Sequence, residues 1–340
     1  MNVTKTEIFI VNWLHKYLEK SGLNGFVVGV SGGIDSAVTS TLCAKTGAPT
    51  LVLNMPIHQN SSQFKRSMEH INWLENNFSN VKHVKPEFNT NSSMVDGRII
   101  LKNNFDSLLT KYQNIIIFGE DTGKIGDVNQ GLEGMQIKHG KDRVDDRGIR
   151  EATIVGEGIG LAMRGLRPIA EIQYLDYLMF ALQTLSDDLA TVSYRSVGKQ
   201  LAPLIVRTRG HRLEGMWHAG SPMGMILNSL KGMLVLTPRN MVQAAGMYNT
   251  LLSCSDPALI IEPLNAYRLK EKEPNNIGEF NVPLGHVEYI SKGKDITVVS
   301  YGSTLKLVEK AIVELLKHDI EIELIDLQTL IPIDINIHKI

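Results

Sequence analysis

The sequence predicts an α/β fold with three α/β/α layers built on mostly parallel sheets. The first observation is a series of short apolar runs rich in β-branched residues, which is typical of buried parallel strands. The second is that stretches with the apolar period of helices separate most of these runs. The third is a composition of 43% hydrophobic and 21% charged residues, which is that of a folded globular protein. Strands and helices that alternate in this way favour right-handed crossovers and parallel pairing.

The N-terminal elements follow this alternation. Apolar residues at helical spacing predict a first helix around residues 8–18, and the run FVVGV predicts a buried strand at 26–30. A second helix is expected from about Ala37, a second strand over 50–55, and an amphipathic helix over 61–78.

Apolar runs predict seven further strands in the rest of the chain, and helical runs separate most of them. These strands are expected at 115–118, 168–172, 203–208, 233–238, 258–263, 296–301 and 320–327.

One stretch, residues 78–98, interrupts the alternation. It is rich in Asn, Ser and Lys, contains a proline and has neither the helical nor the strand period, which predicts a linker or an extended arm. The sequence therefore predicts a domain boundary here, with a first domain at 1–83.

Composition also limits which binding partners and which cellular compartment are expected. The formal net charge of −1 gives no overall field that would recruit nucleic acid or an anionic membrane. Only two cysteines occur, Cys43 and Cys254, both in helix-like apolar stretches, which suits a reducing compartment. The first residues lack the pattern of a signal peptide, and no uncharged apolar run reaches membrane-spanning length. A cytoplasmic protein is expected.

The segment SGGIDS, residues 31–36, lies between the predicted strand at 26–30 and a predicted helix. Backbone N–H groups and hydroxyls at such a strand-to-helix turn can surround an anion, and the helix dipole favours negative charge there. A tight turn without a ligand is the alternative, since such a turn also requires glycine.

SGGIDS resembles the pyrophosphate loop of the N-type ATP pyrophosphatases. With its flanks, NGFVVGVSGGIDSAVTSTLCAKTG and LVLNMPIHQ, the stretch from residue 1 to about residue 80 resembles the start of NAD synthetase, which amidates deamido-NAD with ATP. The resemblance implies a truncated ATP-pyrophosphatase-like fragment in which Ser31, Gly33, Asp35 and Ser36 hold the phosphates of ATP.

From about Val84 onward the sequence resembles another family, the β half of the E1 component of 2-oxo acid dehydrogenases. The motifs are FGEDTG at 118–123, GIREATIVGEGIGLAMRGLRPIAEIQYLDYL at 148–178, PLIVRTRG at 203–210, WHAGSPMG at 217–224 and LIIEPLNAYR at 259–268. The resemblance implies a transketolase-like pyrimidine-binding domain at 84–281, followed by a truncated transketolase C-terminal domain at 282–340. It also implies thiamin diphosphate chemistry, in which a 2-oxo acid is decarboxylated and its acyl group passes to a lipoyl group.

By this resemblance, four residues carry the chemistry. Glu151 is the catalytic glutamate that bonds the aminopyrimidine ring nitrogen of thiamin, and Glu120 helps to line the pyrimidine pocket. Tyr177 stacks on the pyrimidine ring, and His218 is the active-site histidine that donates a proton or guides the lipoyl group. Without the resemblance, Glu151 is equally a helix N-terminal acid, Glu120 an exposed loop acid, Tyr177 a core residue and His218 a structural loop residue.

Two places depart from the family pattern. Arg147 replaces a threonine; it could pair with Asp145 or Asp146, or disturb the pocket entrance. The stretch RTRGHR contains a group of basic residues, which could receive a substrate carboxylate or a partner's acidic surface, or form a solvated loop. These residues are Arg207, Arg209, His211 and Arg212.

The chain has no GDG motif, through which the family's α half binds magnesium and the cofactor diphosphate. The resemblance therefore implies an E1 α partner that holds most of the Mg site, an α2β2-like oligomer and an acyltransferase core as a further partner. A branched-chain 2-oxo acid is preferred over pyruvate. The alternative functions are an NAD synthetase and a non-catalytic mosaic of two incomplete domains.

Overall fold

The computed structural model describes residues 2–54, 61–84, 94–211 and 218–337. The chain divides into two compact units, Met1–Thr90 and Asn91–Ile340. None of the helices within the described residues is long and apolar enough to cross a lipid bilayer.

The N-terminal unit is a three-stranded parallel sheet in the order β1-β2-β3, with three helices. Its elements are α1 (Val3–Ser21), β1 (Phe26–Gly29), α2 (Ile34–Lys45), β2 (Thr50–Leu53), α3 (Ser61–Asn77) and β3 (Val81–Val84). The side chain of Asn2 caps α1 by accepting the backbone N–H of Lys5, and Gly22 ends the helix at φ 68°. The buried core contains Val30, Ala44, Val52, Ile71, Leu74 and Val81.

The linker predicted over residues 78–98 is only partly observed. Residues 81–84 form β3, which pairs with β2, and Val81 lies in the core. Residues 94–98 contain a second short strand and the start of a helix, whereas 85–93 lie outside the described residues. The linker prediction is therefore wrong for residues 81–84 and 94–98, because such short elements show no usable period.

The second unit contains the remaining elements. They are β4 (Met94–Asp96), α4 (Gly97–Lys111), β5 (Ile115–Gly119), α5 (Met135–His139), β6 (Val144–Asp146), α6 (Glu151–Met163), β7 (Arg167–Ile172), α7 (Val192–Arg195), β8 (Ile205–Gly210), α8 (Met223–Ser229), β9 (Leu234–Leu236), α9 (Met241–Leu251), β10 (Ala258–Pro263), β11 (Lys270–Lys272), β12 (Glu288–Ser291), β13 (Ile296–Ser300), α10 (Leu305–Leu315), β14 (Ile322–Asp326) and β15 (Thr329–Ile331). Irregular helical turns fill Leu175–Ala181 and Thr184–Leu189.

A seven-stranded sheet in the order β15-β9-β10-β8-β7-β5-β6 forms the centre of this unit. All of its pairings are parallel except that of the edge strand β15 with β9. The strands β12, β14 and β13 form a smaller mixed sheet, and β11 pairs with β4. This mostly parallel topology confirms the predicted fold class.

Alternate residues of the central strands enter two separate cores. On β10, for example, Ile260 lies in the core covered by α4 and α9, whereas Leu259 and Ile261 lie in the core covered by α6 and α8. Because side chains alternate along a strand, helices on both faces bury the sheet and produce the three predicted layers. The carboxyl ends of the parallel strands meet at one edge, where loops are free to carry polar groups.

Candidate active site

Three of the predicted site residues lie at the carboxyl edge of the central sheet. Glu120 directly follows β5, and Glu151 is the first residue of α6, the helix that comes after β6. Tyr177 lies in the helical turn Leu175–Ala181, which comes after β7. Gly119 brings the chain close to β7, since a Cβ atom there would lie 2.5 Å from the carbonyl oxygen of Glu171. This close approach explains the glycine immediately before Glu120.

These side chains surround one pocket of about 580 Å³. Its lining residues are Glu120, Ile149, Arg150, Glu151, Ala152, Gln173, Tyr177 and Phe180. Tyr177 is half-buried, packs against the core and also lines the pocket. The structure thus brings together Glu120, Glu151 and Tyr177, three residues predicted from separate motifs.

The pocket holds two carboxylates that form no ion pair within the described part of the chain, those of Glu120 and Glu151. Burial raises the pKa of Glu120, and the nearby charges of Asp121 and Glu151 raise it further. Arg150 also lines the pocket. The two carboxylates favour a ligand that donates hydrogen bonds to them.

Arg147 is held away from the pocket by ion pairs. Its guanidinium donates two hydrogen bonds of 2.8 and 2.7 Å to the carboxylate of Glu157 and one of 2.7 Å to Asp145 Oδ2. It also lies 5.1 Å from the ring centre of Phe118. The pairing with Asp145 that the sequence allowed is present, and Glu157 is a second partner of Arg147.

His218 lies next to the pocket, on the far side of Tyr177. Its ring stacks on Tyr174, with centroids 3.6 Å apart, and meets Tyr177 edge-on at 5.3 Å. Its Nδ1 is 3.3 Å from Asp176 Oδ2, and its backbone has φ 55°. Tyr177 therefore connects the lining of the pocket with the histidine.

The predicted basic patch is not a surface feature. Arg207 and Arg209 are fully buried in β8, and they contact three buried carboxylates and Tyr267, while Tyr248 donates to Glu262. We call this set the ion cluster; it consists of Arg207, Arg209, Asp127, Glu171, Glu262, Tyr248 and Tyr267. Both interpretations of the patch, an anion-receiving surface and a solvated loop, are wrong for these two arginines because both lie in the central strand β8. Arg212 lies outside the described residues.

The ion cluster is connected to the lining of the candidate pocket through Gln173. Arg207 donates to Glu171 at 2.7 Å and to both oxygens of Glu262, and Arg209 donates to the carbonyl oxygen of Gln173 at 3.1 Å. Gln173 lines the pocket and binds Asp121, next to Glu120. The cluster contains three carboxyl groups and only two guanidinium groups, and burial raises the pKa of Glu171 to about 7.

The predicted phosphate loop lies at the turn between β1 and α2 of the N-terminal unit. Gly33 caps α2, and the Ser36 hydroxyl donates to the Gly33 carbonyl oxygen at 2.9 Å and accepts the Ser31 N–H at 3.2 Å. Asp35 is exposed in the first turn of the helix. A Cβ atom on Gly32 would lie 2.3 Å from the carbonyl oxygen of Gln63, so this turn requires glycine there.

Metal ligands are not grouped at the GDV sequence, residues 126–128. Asp127 is buried and paired with Arg207 and Arg209. Among the residues that the structure describes, no group of three or more His, Cys, Asp or Glu side chains could hold a metal ion.

Sequence reasoning missed part of the pocket and most of the ion cluster. Ile149 in a loop and Phe180 in the helical turn Leu175–Ala181 line the pocket, yet an apolar residue at such a position gives no signal of its role. Glu171 and Glu262 could have been found, because each is a single charge inside an apolar strand, a position that requires a buried partner.

Comparisons with known proteins agree with this geometry. Residues 93–270 match the family described as transketolase, pyrimidine binding domain, and residues 285–339 match its C-terminal domain. Residues 8–106 match the NAD synthase family. The pocket and the parallel sheet both lie within the first of these matches.

Individual relatives define the family further. The chain is 34% identical over 231 residues to the pyruvate dehydrogenase E1 component subunit beta of Acholeplasma laidlawii, covering 67% of this chain and 70% of the relative. It is 33% identical to that of Mycoplasma genitalium, covering 69% and 72%. A solved structure described as a split gene transketolase, inactive beta4 tetramer, shares the fold with a TM-score of 0.55 at 17% identity, covering 71% of this chain and 73% of that one. The chain therefore belongs to the transketolase-like family that includes the pyruvate dehydrogenase E1 β subunits.

Proposed function

We propose that this chain is the β component of a thiamin diphosphate-dependent 2-oxo acid dehydrogenase E1, which decarboxylates a 2-oxo acid and transfers the acyl group to a lipoyl group. One observation carries the proposal: Glu120, Glu151 and Tyr177 line a single pocket at the carboxyl edge of the sheet. The family relationship supports the same assignment.

The pocket suits the pyrimidine end of thiamin diphosphate. Tyr177 and Phe180 offer aromatic surface to a flat ring, and Phe180 is 69% exposed, so a bound ring would cover it. Two unpaired carboxylates can accept hydrogen bonds from an aminopyrimidine. The bound cofactor supplies the carbon nucleophile for the reaction, while the protein binds and orients it.

Glu151 is the proposed catalytic residue. Its carboxylate stands at the N-terminus of α6 and would accept a charge-assisted hydrogen bond from the ring nitrogen of the pyrimidine. His218 is the proposed proton carrier, or the guide for the lipoyl group. Asp176 lies 3.3 Å from Nδ1 and fixes the ring so that the other ring nitrogen, Nε2, remains for proton transfer.

Activity requires partners. An E1 α subunit supplies most of the magnesium and diphosphate site, the active site forms in an oligomer with that subunit, and an acyltransferase core receives the acyl group. We propose a branched-chain 2-oxo acid as substrate and the cytoplasm as location; the two free cysteines, Cys43 and Cys254, support a reducing compartment.

The test is turnover of this chain reconstituted with an E1 α subunit, thiamin diphosphate and magnesium, with decarboxylation of 2-oxo acids followed by dye reduction. We expect Glu151→Gln to lower kcat by about 10²–10⁴-fold, the usual contribution of a positioned acid–base group. Glu279→Gln, at an exposed site away from the pocket, is the matched control and should retain turnover. Full turnover by Glu151→Gln would reject the assignment.

A second candidate function is ATP binding by the N-terminal unit, as in the NAD synthetase alternative. It is favoured by the NAD synthase match and by the loop of Ser31, Gly33, Asp35 and Ser36 at the start of α2, in which Ser31, Gly33 and Asp35 are exposed. Asp35→Ala should abolish binding of a fluorescent ATP analogue, whereas Glu69→Ala on α3 should not. Equal binding by the wild type and Asp35→Ala would show that this loop does not bind the phosphates of ATP.

The non-catalytic mosaic remains the third alternative. It predicts aggregation or a broad thermal transition, because incomplete cores expose apolar faces. Three buried clusters in the described residues favour cooperative unfolding instead. Differential scanning calorimetry distinguishes the two: sharp reversible transitions contradict the mosaic, and a broad irreversible one supports it.

A further inference from the structure

A second cavity, of about 250 Å³, lies between the end of β10 and the start of α10. We call it the basic cavity. The side chains on which its chemistry depends are Arg239, Asn265, Ser303, Lys306 and Lys310. It shares no lining residue with the candidate active site, so a ligand in this cavity is independent of the proposed thiamin chemistry.

Three cations line this small volume, and no Asp or Glu of the described residues lines it. Lys306 and Lys310 are one helical turn apart on α10 and form no ion pair within the described ranges. Like charges at this spacing repel each other and destabilise a helix. Both lysine side chains are exposed, so they are accessible to an anion that enters the cavity from solvent.

Carboxylates do lie behind the cavity, but they are already engaged. Glu288 and Asp326 accept hydrogen bonds from Arg239, at 2.6 and 2.8 Å. Glu271 attracts both Arg239 and Lys306, yet its oxygens accept the backbone N–H groups of Met241 and Val242, at the start of α9. These bonds hold Arg239 in place and leave the two lysines to face the cavity.

A buried hydroxyl gives a second, independent indication of a ligand. Ser303 is 9% exposed, and its Oγ has no hydrogen-bond partner among the described residues. A buried polar atom without a partner is unfavourable, and a ligand oxygen would relieve that cost. Asn265 adds an exposed side-chain amide to the cavity lining.

We propose that the basic cavity binds the phosphate group of a small phosphorylated metabolite. A phosphate dianion presents several acceptor oxygens at once, which match two ammonium groups, a guanidinium, a hydroxyl and an amide better than a carboxylate does. The volume is below that of most drug-sized ligand sites, so it suits a phosphate with a short carbon chain rather than a nucleotide. The ligand would connect the pyrimidine-domain match with the C-terminal-domain match.

The experiment is lysine footprinting of the full chain: brief acetylation, then mass spectrometry of each lysine, with and without inorganic phosphate. Sodium chloride at equal ionic strength controls for screening, and glycerol phosphate is compared with glycerol. We expect phosphate and glycerol phosphate to slow acetylation of Lys306 and Lys310 several-fold. The exposed Lys199 and Lys231, which lie outside the cavity, should not change.

A variant tests the buried hydroxyl. Ser303→Ala should raise the phosphate concentration for half-protection by about tenfold, the loss expected for one hydrogen bond to a charged group. Ser253→Ala, at an exposed serine, is the matched control. The proposal is overturned if phosphate protects no lysine, if sodium chloride or glycerol protects equally, if the control lysines are protected to the same extent, or if Ser303→Ala behaves as wild type.

Discussion

Two groups of carboxylates lie near the same edge of the central sheet, and their surroundings differ. In the ion cluster, Glu171 and Glu262 are fully buried and bonded to arginines. In the candidate pocket, Glu120 and Glu151 are only half-buried, and no cation within the described residues pairs with them.

This difference in surroundings distinguishes carboxylates that stabilise the fold from carboxylates that can bind a ligand or transfer a proton. A carboxylate bonded to two or more donors is held in one position, which suits a scaffold. A partly desolvated carboxylate next to another carboxylate has a shifted pKa and free lone pairs, which suits a ligand or proton transfer. Substitutions in each group, and changes of pH, can test this division.

Removing a cation from the ion cluster should have the largest effect on stability. Arg207→Met leaves Glu171 and Glu262 buried without their main partner, which should lower the free energy of unfolding by about 3–5 kcal/mol. Urea denaturation measures this loss. Arg195→Met, at an exposed arginine, should change it by about 0.5 kcal/mol or less. Similar values for the two variants would contradict the structural role of the cluster.

The cluster should also make stability depend on pH. The pKa of Glu171 is raised to about 7 in the folded protein from an ordinary value of 4.5, so the folded state binds a proton that the unfolded state releases. The resulting stability is present below about pH 4.5 and is lost as pH rises through about 7, by on the order of 1–3 kcal/mol. Urea midpoints at several pH values should show a smaller decline for Glu171→Gln than for the wild type. Parallel curves would show that Glu171 does not titrate in this range.

In the candidate pocket, the charge of Glu151 should affect the pKa of Glu120. Glu151→Gln removes one of the charges that raise the pKa of Glu120, so that pKa should move down towards its ordinary value. Carboxyl ¹³C NMR titration of glutamate-labelled protein measures the change. Glu157→Gln should leave the titration of Glu120 unaltered, since Glu157 faces Arg147. A Glu120 titration that is the same in wild type and Glu151→Gln would place the two groups too far apart to share a ligand.

The smallest effect is expected at the partly exposed pair of Arg147 and Glu157. Their side chains are 29% and 32% exposed, and water screens the pair, so Glu157→Gln should lower the free energy of unfolding by less than about 1 kcal/mol. Urea denaturation also measures this change. If Glu157→Gln lowered the free energy of unfolding as much as Arg207→Met does, burial would not determine how much each carboxylate contributes to stability.

The sequence predicted the strands well because most of them are continuous apolar runs. The runs at 115–118 and 258–263 became β5 and β10, and both enter the two cores. It failed at 81–84, where only four residues form a strand and charged Lys82 and His83 hide the pattern. Short strands depend on pairing with a neighbour, which no local period records.

For the site, the sequence predicted several pocket residues but not the ion cluster. Glu120, Glu151 and Tyr177 were selected from separate motifs and share a pocket, because strand ends that are distant in sequence meet at one sheet edge. The ion cluster was missed because Arg207 and Arg209 were interpreted as a local group of charges. Their partners Asp127, Glu171 and Glu262 lie on other strands and loops, so only the tertiary fold shows the pairing.

The most direct test of the central claim is hydrogen–deuterium exchange of the chain in complex with an E1 α subunit, with and without thiamin diphosphate and magnesium. We predict slower exchange in peptides that contain Glu120, Glu151 and Tyr177, and unchanged exchange around Ser31–Ser36 in the other unit. Protection confined to Ser31–Ser36, or protection nowhere in the pocket, would contradict a thiamin-binding role for the pocket.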